Sequence, residues 1–265
     1  MSRIVRADIP EEQELKKKQA ELRRLETRLG QRELDLETLR AELHVFEARY
    51  LREVGSLYWK LDEIEAQIAE KLAIMHPEKV EVQKRAAEAR ARAQETAEAV
   101  GKARKEKHET EFKPSDELKK LYRKLAKRIH PDLANDEKER ERRHEMMAAA
   151  NRAYEDGDID RLQKILSEWE TSPESVIGED LASQLERVNR KIEIIRARLD
   201  AIRIEIVEHS QSDLYKLKSK VEKADAVGKD ILSEMAARVR DDIKAARKRL
   251  DQINRRTHAD AQAPE

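Results

Sequence analysis

Residues 115–162 read SDELKKLYRKLAKRIHPDLANDEKERERRHEMMAAANRAYEDGDIDRL, and this stretch decides the fold of the middle of the chain. Apolar residues recur at intervals of three and four in its first part, which predicts an amphipathic helix whose other positions are mostly basic. Pro131 lacks an amide hydrogen and disfavours helical geometry in the residue before it. We therefore expect this helix to end at about His130.

A second helix is predicted to begin near Asp136, because Asp136 and Glu139 have the spacing of a capping box. Gly157 can adopt the left-handed conformation that ends a helix, and Asp158 can cap a short helix after it. The sequence thus predicts a helical hairpin with an exposed His-Pro-Asp tip. Its predicted core consists of Leu118, Leu121, Leu125, Met147, Ala150, Asn151 and Tyr154.

The segments YRKLAKRIHPD and M-x-x-A-N-x-A-Y, in this order, resemble the J-domain of DnaJ-type co-chaperones. In that family a basic helix leads into a His-Pro-Asp loop, and the next helix ends in Asn-x-Ala-Tyr. The placement of the tripeptide between these two helices is what makes the resemblance specific.

The resemblance implies that the hairpin docks on a DnaK-type ATP-dependent chaperone and stimulates its ATP hydrolysis. Such a contact would be transient and salt-sensitive, because charge complementarity contributes more to the association rate and the register of the complex than to its affinity. His130, Pro131 and Asp132 would form the trigger of this interaction. The helical contact residues would be Tyr122, Arg123, Lys124, Lys127 and Arg128.

The first helix of the family has no clear counterpart here. Residues 101–114 read GKARKEKHETEFKP and offer nothing closer to its aromatic pattern than Phe112. Either a preceding long helix replaces that element, or the hairpin packs against something else.

Composition predicts an all-α chain in which long coiled-coil helices flank the hairpin. Charged residues make up 42% of the chain and aromatic residues 3%, as in coiled coils and long helices. The 56 basic and 56 acidic residues cancel, so net charge does not favour nucleic acid or an anionic membrane. Without cysteines or a long apolar run, we expect a cytoplasmic protein that does not enter a membrane.

Heptad-spaced apolar residues predict one helix over residues 11–75, with a four-residue stutter between Tyr50 and Val54. After Pro77, a helix over 78–108 either folds back or continues with a kink. Two further helices, 179–208 and 213–254, are predicted to pair with each other. The predicted order is N-terminal coiled-coil helices over 11–110, the J-like hairpin over 112–169, a linker over 170–178, an antiparallel coiled coil over 179–255 and a disordered tail over 256–265.

The sequence offers no support for enzyme chemistry. It contains no Gly-rich phosphate loop, no nucleophile elbow and no cysteine, and its histidines lack metal-ligand spacing. We therefore expect no catalytic residues, no cofactor and no metal.

Three functional hypotheses remain open. The first is a co-chaperone whose coiled coils form a homo-oligomer or hold an unidentified client protein. The second is a coiled-coil scaffold with an inactive J-like hairpin. The third, nucleic-acid binding through the basic helix at 119–128, is disfavoured because the neighbouring segments are charge-balanced and carry no aromatic stacking platform.

Overall fold

The computed structural model describes residues 10–105, 112–134, 136–170 and 181–260. The secondary structure of these residues is all helical, with no strand among them, as the composition and periodicity predicted. The helices are α1 (Pro10–Tyr50), a π-helical turn (Leu51–Gly55), α2 (Ser56–Met75), α3 (Val80–Lys105), α4 (Asp116–Ile129), a 3-10 turn (Pro131–Leu133), α5 (Glu137–Glu155), α6 (Ile159–Glu170), α7 (Leu181–Gln211), α8 (Asp213–Asp225) and α9 (Ile231–Asp260).

The chain divides into two compact units. The first unit consists of Met1–Glu42 and Phe112–Ser212, and the second unit consists of Leu43–Glu111 and Asp213–Glu265. Each unit therefore combines an early and a late part of the chain. The J-like hairpin lies in the first unit, together with the larger part of α1 and with α7.

The predicted stutter is observed as a π-helical turn. Helix runs from α1 through Leu51–Gly55 into α2, and the stutter between Tyr50 and Val54 falls at this turn. A π-helix hydrogen-bonds one residue further along than an α-helix, so it absorbs a shift in the apolar seam. Val54 is fully buried as a result.

In the second unit, α3 folds back along α2 after the turn at Pro77. The side chain of Gln83 donates a hydrogen bond to the carbonyl of Ala73 at 2.8 Å, and Arg90 pairs with both Glu63 and Glu70. The kinked continuation that the sequence also allowed is not formed.

The predicted antiparallel coiled coil over 179–255 is wrong, because its two halves pack in different units. In the first unit, α7 places Ile195 and Ile202 against Leu29 and Leu36 of α1. The residues after α7 pack in the second unit, where α9 covers α2. A heptad seam specifies that a helix needs an apolar partner, but it does not specify which helix that partner is.

A break that the seam concealed separates α8 from α9. Gly228 has a φ of +75°, and the amide of Lys229 closes the end of α8 on the carbonyl of Ala224 at 2.9 Å. Asp230 then caps α9 by accepting a bond from the amide of Ser233 at 2.9 Å. The periodicity misses this break because Ala224 and Ile231 lie seven residues apart, which is one heptad.

The chain ends differ from the prediction as well. Helix α9 continues to Asp260, so a disordered tail does not begin at residue 256; residues 261–265 lie outside the described residues. Of the predicted linker, residue 170 is the last of α6, and residues 171–178 lie outside the described residues.

The residues predicted to form the core of the hairpin pack together. Leu121 is partly covered, and Asn151 is half-buried with its side-chain oxygen accepting a hydrogen bond from the hydroxyl of Tyr122 at 2.8 Å. Helix α6 closes the core with Leu162, Ile165 and Leu166. The fully or nearly fully buried members of the predicted set are Leu118, Leu125, Met147, Ala150 and Tyr154.

The helices of the hairpin begin and end at the predicted residues, and of the predicted capping box the structure shows the bond that Asp136 accepts. Asp136 accepts a bond from the amide of Glu139 at 2.8 Å. Gly157 ends α5 with a φ of +71°, and Asp158 accepts a bond from the amide of Arg161 at 2.9 Å. These residues therefore set the boundaries of α5 and α6 locally.

Helix α1 packs against the hairpin core. Leu34 of α1 belongs to the hairpin core, and the hydroxyls of Thr38 and Tyr154 share a hydrogen bond at 2.8 Å. Phe112 packs against the same core, and its ring lies edge-on to that of Tyr154 with centroids 5.5 Å apart. Of the two possibilities that the sequence left open, the structure has a long helix, α1 of the same chain, packed against the hairpin.

The approach of α1 to α4 depends on Gly30. A β-carbon at this position would stand 2.8 Å from the carbonyl oxygen of Arg123, whereas one at Gly101 of α3 would meet nothing within 4 Å. We expect Gly30→Ala to lower the free energy of unfolding by about 1–3 kcal/mol, because it overpacks a backbone contact. Gly101→Ala is the matched control. It should raise the free energy of unfolding by up to about 1 kcal/mol through helix propensity alone.

Urea denaturation of the two variants and the wild type measures these changes. An increase in stability for both variants would contradict the close packing of α1 on α4.

Candidate functional site: the His-Pro-Asp loop

The loop is a single 3-10 turn held by local hydrogen bonds. Helix α4 ends at Ile129, and the amides of Leu133 and Ala134 donate to the carbonyls of His130 and Pro131, both at 3.1 Å. The amide of Asp132 donates to Nδ1 of His130 at 3.2 Å. The histidine ring therefore stabilises the turn that contains it.

His130 is buried, so the prediction of an exposed tip is wrong for this residue. Its side chain is 5% exposed, and its Nε2 lies 2.8 Å from Oε1 of Glu33 in α1. Because Nδ1 accepts a bond from the backbone, the neutral ring that satisfies both contacts carries its hydrogen on Nε2 and donates it to Glu33.

Glu33 joins the loop to α7. Its Oε1 also accepts from Nε of Arg198 at 2.8 Å, and its Oε2 accepts from the same guanidinium at 3.3 Å. Arg198 also forms a salt bridge with Glu205 at 2.7 Å, and Glu205 forms another with Arg40 at 2.7 Å. A chain of charged side chains thus runs from the loop along the contact between α1 and α7.

An apolar contact accompanies this polar one. Leu133, which directly follows the tripeptide, is buried in the seam between α1 and α7, where it meets Leu29, Leu36, Ile195 and Ile202. The loop therefore contributes a side chain to the apolar core between α1 and α7. This contact and the Glu33 bridge together bind the loop to both helices.

The environment of Glu33 favours its charged form. Burial by itself raises the pKa of this carboxyl, but the hydrogen bonds from His130 and Arg198, with the charge of Arg198, outweigh burial and lower it. The buried carboxylate of Glu33 is therefore stabilised by its hydrogen-bond donors and by the charge of Arg198, and it does not need to be protonated.

A second buried ion pair holds the loop to α5. Arg143 binds Oε1 of Glu139 through Nε at 2.8 Å and through Nη2 at 2.6 Å. Its Nη1 donates to the carbonyls of Arg128 at 2.9 Å and His130 at 3.3 Å, and its guanidinium lies 4.4 Å from the ring centroid of Trp169. Arg143 thus satisfies carbonyl groups at the end of α4 that have no partner within the helix.

The predicted contact residues do not form one exposed face. Tyr122 is fully buried, so a direct contact between this side chain and a partner does not fit the structure. Arg123 and Lys127 point to α1, where they donate to Gln31 at 3.0 Å and to Thr27 at 3.2 Å.

The remaining contact residues are accessible to different degrees. Lys124 and Arg128 are exposed and both pair with Glu170 of α6. Pro131 is half-buried, and the side chain of Asp132 is 38% exposed. Asp132 is therefore more accessible than His130.

The sequence reasoning missed Glu33, Arg198, Glu139 and Arg143. Glu139 and Arg143 are four residues apart, a spacing that also occurs on many solvated helix faces. Glu33 and Arg198 are 165 positions apart and belong to helices that are charged throughout. No local pattern in the sequence distinguishes them from their exposed neighbours.

No protein-family model matches the chain, and neither a curated protein nor a solved structure matches it. Among the described residues, no group of histidine, aspartate and glutamate side chains could hold a metal ion. No helix in the described ranges is long and apolar enough to cross a membrane.

Glu33 provides a direct test of the bridge. We expect Glu33→Gln to lower the free energy of unfolding at pH 7 by about 1–3 kcal/mol, because the amide keeps the shape but loses the charge-assisted bonds to Arg198. Urea denaturation measures this change. Glu145→Gln on the exposed face of α5 is the matched control, and an equal effect in both variants would contradict the bridge.

The stability difference between the wild type and Glu33→Gln should also depend on pH. Because the pKa of Glu33 is lower in the folded state, its contribution is complete above its ordinary value of 4.5 and is lost as the pH falls toward the folded-state value. The stability difference between wild type and Glu33→Gln should therefore shrink as the pH is lowered below 4.5. Denaturation curves collected from pH 7 to pH 3 measure it, and a difference that grows on acidification would contradict this assignment.

Proposed function

We propose that this protein is a J-domain co-chaperone that stimulates ATP hydrolysis by a DnaK-type chaperone through the loop at His130. The observation that carries the proposal is the position of the tripeptide. It forms a tight turn between a basic helix and a helix ending in Asn-x-Ala-Tyr. Two polar residues of that ending, Asn151 and Tyr154, make part-buried hydrogen bonds to Tyr122 and Thr38.

The packing of α1 supports the proposal further. A hairpin without a first helix would leave part of its core exposed. Here α1 covers that part of the core with Leu34. The absence of the family's first helix from residues 101–114 is therefore not an argument against a complete J-like unit. Lys124 and Arg128 are exposed and the side chain of Asp132 is 38% exposed, so these three residues are open to a partner.

A second candidate is a structural scaffold in which the hairpin has no trigger activity. The burial of His130 favours it, because a histidine that bridges to Glu33 and organises its own turn has a structural role without any partner. The two candidates differ in one measurable property, since the scaffold predicts no response of a DnaK-type ATPase at any concentration.

Single-turnover ATP hydrolysis by a DnaK-type chaperone from the same cell tests the proposal. We expect the intact protein to accelerate hydrolysis and both Asp132→Asn and His130→Gln to abolish the acceleration. Asp132→Asn is the cleaner probe, because its side chain is partly exposed whereas His130 contributes to packing.

Asp160→Asn is the matched control, because this exposed residue of α6 lies in the same unit. It should leave the acceleration unchanged. Acceleration that persists in Asp132→Asn at wild-type level would contradict the assigned role of the tripeptide.

A further inference from the structure

The surface that carries the tripeptide is already occupied within the chain. Arg198 of α7 holds Glu33 against His130, and Ile195 and Ile202 of α7 enclose Leu133. Both residues that flank Pro131 and Asp132 are therefore buried. Leu133 contacts α7 directly, and His130 is connected to α7 through Glu33. A partner that approaches the loop from this side meets α7 first.

We propose that α7 is an internal competitor for the loop, so that full engagement of a DnaK-type chaperone requires α7 to leave the surface around His130 and Leu133. This inference rests on the proposed co-chaperone function. It adds a closed state, in which α7 covers the loop, and an open state, in which the loop turn is accessible while the hairpin stays folded.

The hairpin core explains why α7 is the element that moves. Described members of that core come from α1, α4, α5 and α6, with Phe112, and α7 contributes none of them. Helix α1 cannot leave without opening the core at Leu34 and breaking the bond between Thr38 and Tyr154. Release of α7 breaks the contacts with Arg198, Ile195 and Ile202 and leaves the hairpin on α1 intact.

Closure reduces the apparent affinity for the partner by the fraction of molecules that are open. Substitutions that weaken α7 binding without touching the hairpin should therefore lower the concentration needed for half-maximal stimulation. They should leave the maximal rate unchanged, because the loop itself is unaltered. A merely structural role of α7 would not improve stimulation.

Point variants of the full chain test this prediction. Arg198→Ala removes the bridge to Glu33, and Ile202→Ala removes a fully buried seam side chain next to Leu133. We expect each to lower the half-maximal concentration about tenfold in the single-turnover assay. Ile204→Ala is the matched control, because Ile204 lies on the same helix but is 56% exposed, and it should change nothing.

A covalent lock tests the opposite direction. The natural chain has no cysteine, so the double variant Arg40→Cys, Glu205→Cys carries only the introduced pair, at positions whose side chains meet at 2.7 Å in the closed state. Bridging the pair with a short bismaleimide should reduce stimulation at least about tenfold. Each single variant treated with the same reagent is the control and should keep the stimulation of the untreated protein.

Hydrogen exchange of the amides of Leu133 and Ala134 gives a readout that does not depend on the chaperone. Exchange should be faster in Ile202→Ala than in Ile204→Ala, while the amides of α4 keep their protection. Loss of protection throughout α4 would identify an unfolded variant. In that case Arg198→Ala and the locked protein decide whether α7 competes for the loop.

The outcomes separate the two proposals. Stimulation that is equal in the locked, unlocked and Ile202→Ala proteins would overturn the competition by α7 and leave the co-chaperone function standing. Absence of stimulation by the intact protein, by Arg198→Ala and by Ile202→Ala alike would overturn the co-chaperone function itself.

Discussion

The buried carboxylate of Glu33 is the constraint on which the first unit depends. A buried charge is costly unless donors surround it, and its donors here come from His130 at the loop and Arg198 in α7. Three elements that are far apart in the sequence must therefore meet at one point. Leu133 joins the apolar seam of the same two helices, so the polar and apolar requirements are satisfied by one arrangement.

Helix α1 serves two partners with different parts of its surface. Its leucines at heptad spacing, such as Leu29 and Leu36, pack with α7. Gly30, Leu34 and Thr38 lie on another face and receive the hairpin. The apolar seam at Leu29 and Leu36 is thus covered by another helix of the same chain.

The loop combines features that support different functional readings. Its residue order resembles that of a J-domain, and the part-buried hydrogen bonds of Tyr122 and Tyr154 join the two helices beside it to each other and to α1. Its histidine is packed like a structural residue, with both ring nitrogens engaged. The proposed equilibrium between a covered and an uncovered loop would reconcile these observations, because a buried contact in one state does not prevent a functional contact in the other.

The sequence by itself determined the features that depend on local chemistry. These are the all-helical fold, the end of α4 before Pro131, the capping of α5 and α6 by Asp136 and Asp158, the core of the hairpin and the stutter after Tyr50. Only the tertiary structure decided which helices pair, because heptad seams are interchangeable apolar surfaces. It also decided the burial of His130, since the groups that enclose it, Glu33 and Arg198, are distant in sequence and resemble every other charged residue of a solvated helix until the chain is folded.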